Sequence, residues 1–542
     1  MKKTILTILG VCAIFTSCSD AYEIDQPGLV TDESVVFTDA VSVARGVSNV
    51  YVSLVPENDI KFQTVFTDEL GLGHQNGGAG INDGSYNFVM DSGNGYAQSF
   101  WYGNYGTVYQ INRMLSVVDG LIAKETNNDN VLSLKKSKGE LLGLRAYCHL
   151  KLFAYFTPDY TNDSGLSIMK ADFVPSDDFK TRVPRSSVKE IEDFIAKDIK
   201  DAMDVHFGSQ SYTSVENHKL TKGALDAMLV KLYSMTENYD QVIEIASRFI
   251  GSAHGFDAPS SYRDMYLTSD FFSKREIIWS FLRDEAETTR TVSDIWYTNR
   301  IGREGSVSFD IGRSLYNDLD RLDPSKTNQP VFEIVTNEFG ARVEQRIERA
   351  DLRFTVNVHQ QSEPKANYST LNNEVYIQTD KLFVGKYIEK SRTIMQSNMI
   401  VFRFSDIMLA LAEARAAKNA LTGSNTVDDY STVQSIIYNL RRARINPSSG
   451  ITEPASMPTI TSLQSAWKAI LDERRMEFAF EGHRYLDVKR LGRKANVGFV
   501  RDPQDCFRNK ACNLVPTAHE LTMPIPRIEM NNNTTMVQNP GY

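Results

Sequence analysis

Helical periodicity recurs at both ends of this chain and lapses in between, and that alternation restricts the architecture more than any other feature. Residues 38–55 and 100–122 read as amphipathic helices, the second with Tyr105, Val108, Tyr109, Ile111, Asn112 and Leu115 at helical spacing. A longer helix over 134–157 stops at Thr157-Pro158, because proline cannot continue the hydrogen-bond ladder. Helical patterns follow at 187–206, 219–235 and 239–250, then at 402–420, 430–444 and 462–481. Small residues such as Ala224, Ala227 and Ala246 allow neighbouring helices to approach closely. The fold class expected is mainly α, built of stacked helical hairpins with long irregular loops and a few short strands.

Between the helical ends, residues 252–400 are rich in Gly, Ser, Thr and Asn, with isolated strand-like runs such as Ile277-Ile278-Trp279-Ser280-Phe281. An earlier loop, 71–99, carries Gly71, Gly73, Gly77, Gly78, Gly80, Gly84, Gly93 and Gly95. Loops of this length are either functional or disordered. The aromatic residues in them (Tyr86, Phe88, Tyr96, Trp296, Tyr297) argue against plain disorder. A chain of 542 residues could hold several domains, but the pattern reads as one. It spans 18–542, with a helical part at 38–251, a loop-rich insertion at 252–400 and a second helical part with tail at 401–542. The net charge of -9 excludes no fold, but it argues against a nucleic-acid partner, which requires a clustered basic surface.

The first residues set the compartment. Lys2 and Lys3 precede a short apolar stretch, Thr4 to Phe15, too brief to span a bilayer. The following Phe15-Thr16-Ser17-Cys18 resembles the lipobox of bacterial lipoproteins, with Phe15 where Leu is usual. The resemblance implies a signal peptide over 1–17 and a new N-terminus at Cys18 carrying acyl chains, hence a membrane held by a lipid anchor. The alternative is an ordinary secretory signal with an incidental Cys. Of the other cysteines, Cys148 reads as a small buried hydrophobe. Cys506 and Cys512 flank a short polar loop whose spacing permits a local disulfide, subject to Cα geometry. No His/Cys cluster has zinc spacing, and neither a metal nor a cofactor is expected.

Several segments add up to a resemblance. Residues 470–490, Ile-Leu-Asp-Glu-Arg-Arg-Met-Glu-Phe-Ala-Phe-Glu-Gly-His-Arg-Tyr-Leu-Asp-Val-Lys-Arg, resemble the signature of the SusD/RagB family, with the fixed positions met from Glu473 to Arg490. Pro524-Ile525-Pro526-Arg527-Ile528-Glu529 and Gln538-Asn539-Pro540-Gly541-Tyr542 are similar to its closing segments. Phe402 to Ala414 resembles a family helix, with Asp406 where Glu is usual. Leu144-Arg145-Ala146-Tyr147 and Asp351-Leu352-Arg353 are shorter matches, and Asn439 to Arg444 approximates a further run. The resemblance implies a tetratricopeptide-like helical scaffold and an outer-membrane lipoprotein facing the cell exterior. It also implies a SusC-like TonB-dependent transporter as partner, and a loop-built face that captures glycans for import. Ser19 to Asp25 loosely resembles the surface-export tag of such lipoproteins.

Catalysis is not expected. Glu473, Glu477 and Glu481 recur every four residues, which would place three carboxylates on one helix face. With Arg474, Arg475 and Arg484 alongside, they read as a scaffold salt-bridge network rather than a glycosidase pair. Asp68-Glu69 reads as a helix-end or loop contact. No nucleophile elbow, metalloprotease motif or phosphate loop is present. Sugar rings need flat apolar faces for their C–H patches and planar polar groups for their hydroxyls. The loop residues of that kind are Asn82, Asp83, Tyr86, Phe88 and Tyr96, and Trp296 and Tyr297 beside Asn299 and Arg300. Trp296 leads this set, with packing against the scaffold as the alternative role. Trp101, Trp279 and Trp467 read as core. The function expected is non-catalytic glycan capture. The alternatives are a peptide- or other nutrient-binding member of the same family, and a secreted glycoside hydrolase.

Overall fold

Polar residues just upstream of several apolar runs fix where those helices begin. In the computed structural model, which describes residues 36–174, 182–267, 274–283, 292–297, 302–387, 398–421, 430–506 and 511–542, Asp39 accepts a hydrogen bond from Ser42 N at 2.7 Å and opens α1 (Ala40–Ser53). Asn94 caps α3 (Gly95–Lys124) and Asn127 caps α4 (Asn128–Phe156), each accepting from two backbone N–H groups. Ser187 and Glu190 form a reciprocal capping box on α5 (Val188–Ala202), and Thr221 caps α6 (Lys222–Met235). Helix α7 spans Tyr239–Ser247. Residues 1–35, with the signal segment and Cys18, lie outside the described residues, as do Asn299 and Arg300. Among the described residues, no helix is long and apolar enough to cross a membrane.

Helix α2 (Glu57–Phe66) has no counterpart in the sequence pattern. It buries Ile60, Phe62, Val65 and Phe66 but also Glu57, Gln63 and Thr64, so burial does not follow polarity and the amphipathic period is blurred. The middle of the chain contains short helices α8 (Pro259–Leu267), α9 (Arg313–Asp320), α10 (Leu352–Asn357) and α11 (Asn373–Thr379). The C-terminal part holds α12 (Phe404–Leu421), α13 (Ser431–Arg442), α14 (Leu463–Glu477) and α15 (Arg484–Asp487).

The helices stack as hairpins: α3 packs on α4, and α4 on α1 and α5. Likewise α6 packs on α7, α7 on α12, and α12 on α13 and α14. The close approach of α4 to α6 requires Gly143, where a Cβ would meet Leu220 Cδ1 at 2.7 Å and Leu225 Cδ2 at 2.8 Å. One hydrophobic cluster runs from Val47 through Leu144, Trp279 and Phe402 to Met536. The strands form antiparallel pairs: β1 (Leu70–Leu72) with β3 (Phe309–Ile311), β2 (Ile277–Phe281) with β6 (Met399–Arg403), β4 (Phe332–Thr336) with β5 (Arg342–Arg346), and β7 (Phe499–Val500) with β8 (Asn513–Leu514). The strand-like run at 277–281 is thus a ladder partner for the segment leading into α12. Cys506 and Cys512 form a disulfide, with Cα atoms 5.2 Å apart, and Cys148 is buried and free.

The three signature carboxylates lie in a buried ionic network, but not on one helix. Helix α14 ends at Glu477, and the chain turns through positive φ at Phe480 (64°) and Gly482 (75°), so Glu481 lies beyond the helix. The carboxylate of Glu69 accepts from Phe480 N at 2.8 Å, which draws the backbone away from helical hydrogen bonding. Their partners are not the adjacent arginines. Glu473 pairs with Arg353 and Arg441, each at 2.6 Å, and Glu477 with Arg403 at 2.7 Å and Arg444 at 2.8 Å. Glu481 pairs with Lys386 at 2.7 Å and Arg403 at 2.9 Å. Glu276, at the start of β2, joins Arg403 and Arg444.

The adjacent arginines reach elsewhere. Arg474 pairs with Asp406 at 2.6 Å and Asp487 at 2.7 Å, Arg475 with Asp318 at 2.7 Å, and Arg484 with Asp68 at 2.9 Å. Taking such charges out of water is expensive, and removing one partner strands the other. Glu477→Ala removes one of the two carboxylates that Arg403 and Arg444 share, leaving them Glu276 in common. It is expected to destabilise the fold by about 3–5 kcal/mol in denaturant titration, whereas a loss under about 1 kcal/mol would mean the network contributes no more than a surface pair.

Candidate functional site

The Gly-rich loop 71–99 is tied down at its base. Its first strand pairs with β3, and Gly73 N and Gln75 N donate to Ser308 O and Val307 O, each at 3.0 Å. Positive φ at Gly78 (93°) and Gly84 (78°) turns the chain back on itself, which side chains elsewhere would oppose. Tyr86 is fully buried and donates its hydroxyl to Asp505 O at 2.8 Å. The Arg501 guanidinium lies 3.8 Å from the Tyr86 ring centroid and 4.1 Å from that of Phe88, while donating to Thr67 O at 2.8 Å and Val65 O at 3.1 Å. Tyr86 and Phe88, expected as ligand platforms, are therefore anchors for the loop's root. A buried arginine that satisfies backbone carbonyls also takes up their ring faces.

Trp296 and Tyr297 are corrected in the same way. Both are fully buried. Trp296 donates Nε1–H to Thr64 Oγ1 at 3.4 Å and packs between Phe480 (5.6 Å between ring centroids) and Tyr387 (6.3 Å). Tyr297 donates its hydroxyl to Val384 O at 2.6 Å. Each polar handle is satisfied inside the protein, so neither ring offers a face to a soluble ligand. The scaffold role, left open by the sequence, is the one the structure assigns to Trp296. Trp101 and Trp279 are buried, and Trp467 is partly so, under the Lys494 ammonium.

With those rings as anchors, the exposed part of the loop is mostly small and polar. Asn82, Asp83, Val89, Asp91 and Ser99 are among its exposed residues, and Tyr96 is half-buried. Asn82 folds back on the Gly78 turn, where its Nδ2 would lie 2.7 Å from an added Cβ. Asp83 and Tyr96 share the wall of an open cavity of about 530 Å³ with Asn58, Val89, Asp91, Asn94 and Ser99. The ring of Tyr96 leans on Phe62 of α2 at 5.4 Å. Burial pushes its hydroxyl pKa up to about 12, and the charges of Asp83 and Asp294 add to the rise. Asp294 is itself held by Lys61 of α2 at 2.7 Å.

The groove acids are oriented by backbone. Asp83 Oδ1 accepts from Ser85 N at 2.9 Å and Asp91 Oδ1 from Gly93 N at 2.7 Å. Ser99 Oγ accepts from Asn58 Nδ2 at 3.1 Å. Chemically this is a half-exposed aromatic ring ringed by carboxylates, amides and a hydroxyl, all with acceptors or donors for sugar hydroxyls. Asn58, Asp91, Asn94 and Ser99 were not singled out in the sequence; the Asp91-Ser92-Gly93-Asn94-Gly95 turn chemistry was the available signal.

The other acids are placed for structure. Burial alone would raise the carboxyls of Glu473, Glu477 and Glu481, but the guanidinium charges against them outweigh it and hold all three below the usual carboxylate range. Such groups stay ionised and cannot serve as proton donors. Glu69, pushed up to about 7 chiefly by burial, is 1% exposed and lies out of reach of a polymer in solution. Among the described residues no group of carboxylates, histidines and cysteines is arranged to hold a metal ion.

Known proteins resemble the chain at both levels. A family model described as "SusD family" matches residues 283–542, and one described as "Starch-binding associating with outer membrane" matches residues 31–234. A relative named SusD-like protein P2, from Formosa agariphila, is 22% identical over 560 residues, covering 100% of both chains. The crystal structure of a SusD superfamily protein from Bacteroides vulgatus is similar with a TM-score of 0.67 at 17% identity, covering 93% of this chain and 99% of that one. A SusD-like carbohydrate binding protein from the same species gives a TM-score of 0.62 at 14% identity, with coverage of 92% and 97%.

Because Trp296 fills the space between α2 and the Phe480 turn, Trp296→Ala is expected to lower stability by about 3–5 kcal/mol in chemical denaturation. Unchanged stability would return the indole to the list of ligand contacts.

Proposed function

The chain belongs to the SusD/RagB family, and from that premise we propose that it is a non-catalytic lipoprotein of the outer membrane that captures glycans at the Asp83–Tyr96 groove. It delivers them to a SusC-like TonB-dependent transporter for import. The observation that carries this reading is the groove itself: a half-buried ring backed by Phe62, with Asp83 and Asp91 fixed by turn N–H groups around a cavity of about 530 Å³. The ring face suits the C–H patch of a pyranose, and the acids suit its hydroxyls. Asn82, at the rim, and Asn299 and Arg300, outside the described residues, remain candidates for contacts along a longer oligosaccharide. The start of the sequence supports the anchor, since acyl chains on Cys18 would hold the protein on a membrane at roughly 0.8 kcal/mol per buried CH₂.

Binding through one ring and a few hydrogen bonds is weak per site, which suits a protein that must release its cargo to a transporter. Tyr96→Leu, which keeps an apolar contact with Phe62 but removes the flat ring face, is expected to weaken oligosaccharide binding in calorimetry about tenfold while leaving the melting temperature nearly unchanged. If an array of oligosaccharides and peptides instead returns only peptides, the ligand class is the family's other one. Shortening of the bound glycan on chromatography would favour a hydrolase. Cys18→Ala is expected to release the protein from membrane fractions, and continued retention would remove the lipid anchor from this account.

A further inference from the structure

A cleft at the C-terminal end of α4 differs from the groove in the sign of its charge. Its volume is about 500 Å³, within the range of small-molecule sites, and it shares no lining residue with the groove. The loop after α4, the end of α6, residues 489–494 and residues 516–522 supply its walls. Four cations that follow α15, Lys489, Arg490, Arg493 and Lys494, line it against two acids, Asp159 and Glu237. The backbone there winds as one π turn over Val488–Gly492, a rare form that is frequent at functional sites. Two of the cations are matched: Arg490 pairs with Glu413 and with Asp487, and Lys494 with Glu237 at 2.5 Å.

The other two are not. Arg493 is exposed and makes no side-chain hydrogen bond or ion pair among the described residues. Lys489 has no acid among them either: its ammonium donates to Ala154 O at 2.8 Å and Tyr155 O at 3.2 Å, 4.8 Å from the Tyr160 ring centroid. Those carbonyls belong to the last turn of α4, whose dipole offers a partial negative charge and no counter-ion. Burial, with the Arg185 charge adding to it, pushes the Lys489 ammonium well below the usual lysine range. Asp159 is turned to its own loop, where Oδ1 accepts from Thr161 N at 2.9 Å and Thr161 Oγ1 at 2.8 Å. The walls also carry the hydroxyls of Thr161 and Thr517 and the apolar surface of Pro158, Pro516 and Leu521. A bare inorganic ion needs none of these, whereas a charged group on a carbon skeleton uses both. We propose that this cleft takes an acidic sugar, whose oxyanion, a uronate carboxylate or a sulfate ester, sits against Lys489 and Arg493.

That the charge is borne by a sugar rests on the glycan-capture reading above, whereas the demand for an anion rests on the cleft alone. The Tyr96 groove has Asp83 and Asp91 on its wall and, among the described residues, no cation, so it would repel the same group. The two sites thus select different units of one polymer, and together hold it more tightly than either alone through the raised effective concentration of the second segment.

The test is calorimetry on the full chain in detergent, in a Tyr96→Leu background that weakens the groove. The probes are trigalacturonate and heparin tetrasaccharide, with maltotriose, inorganic sulfate and phosphatidylglycerol vesicles as separate arms. At least one acidic oligosaccharide is expected to bind about tenfold tighter than maltotriose, with an affinity that falls as salt is raised. Arg493→Gln, at an exposed position, should weaken that binding about fivefold. Thr517→Glu, which adds an acid to the exposed part of the wall, should abolish it, and both variants should keep the melting temperature. The proposal is overturned if neither acidic sugar binds, if maltotriose binds as well as they do, or if inorganic sulfate or the vesicles alone bind. Binding that survives Thr517→Glu overturns it too. Capture of neutral oligosaccharides by the chain with Tyr96 intact, lost in Tyr96→Leu, reports on the groove by itself, so failure of the groove and failure of the cleft read out separately.

Discussion

Arg403 is the point on which the rest of the molecule depends. Its guanidinium contacts Glu276, Glu477 and Glu481 at once, and so joins the entry to β2, the end of α14 and the turn beyond it. A buried charge of this kind cannot be left half-paired, because the loss of one carboxylate is felt by every other member of the network. Glu477 also holds Arg444, which holds Glu276 in turn, while Arg353 ties α10 to Glu473. Helices far apart in sequence are thereby held in one relative placement by ion pairs with oxygen–nitrogen separations near 2.7 Å. Apolar packing is tolerant of register, whereas in this arrangement each buried carboxylate meets its guanidinium partners at hydrogen-bonding distance.

The same economy explains the groove. The turn after α14 gives its Phe480 N–H to Glu69, and its Phe480 ring packs on Trp296. Glu69 leads into β1 and the Gly-rich loop, whose root is held by Arg501, Tyr86 and Asp505. The ionic network, the loop base and the Trp296 segment thus form one rigid support. On that support Asp83 is presented to solvent and Tyr96 lies half-buried against Phe62. Rigidity at the root limits the ordering cost that binding would otherwise incur at the tip.

Much of the helical frame was legible because its helices are amphipathic and end on caps or Pro. Helix α2 was not, since its buried face carries Glu57, Gln63 and Thr64 as well as apolar residues and so blurs the period. The salt-bridge reading of Glu473, Glu477 and Glu481 was legible from the density of arginines, but the partners were not. They come from Arg353, Arg403, Arg441 and Arg444, and only tertiary structure brings those near. The candidate groove lies in a loop that the sequence singles out, whereas four of the rings named as ligand contacts, Tyr86, Phe88, Trp296 and Tyr297, are buried. A loop tryptophan is costly to expose, and that cost can be met by a ligand or by burial; sequence does not distinguish the two, and in Trp296 burial won. Tyr96 and Asp83 kept their place because one lies at the start of α3 and the other on a turn, where neither can fold inward completely.

The glycine-rich loop enters and leaves the scaffold at fixed points, with its bulky rings at the base and small or polar residues at the tip. That is the construction of an interchangeable cassette. Substitutions among residues 82–96 that spare Tyr86 and Phe88 can alter which surface meets a ligand without disturbing the Arg501 anchorage beneath. Chains that share the frame can therefore differ at this surface while their folds stay superimposable, and a fold match with a TM-score of 0.67 at 17% identity shows how far sequence can drift over the same frame.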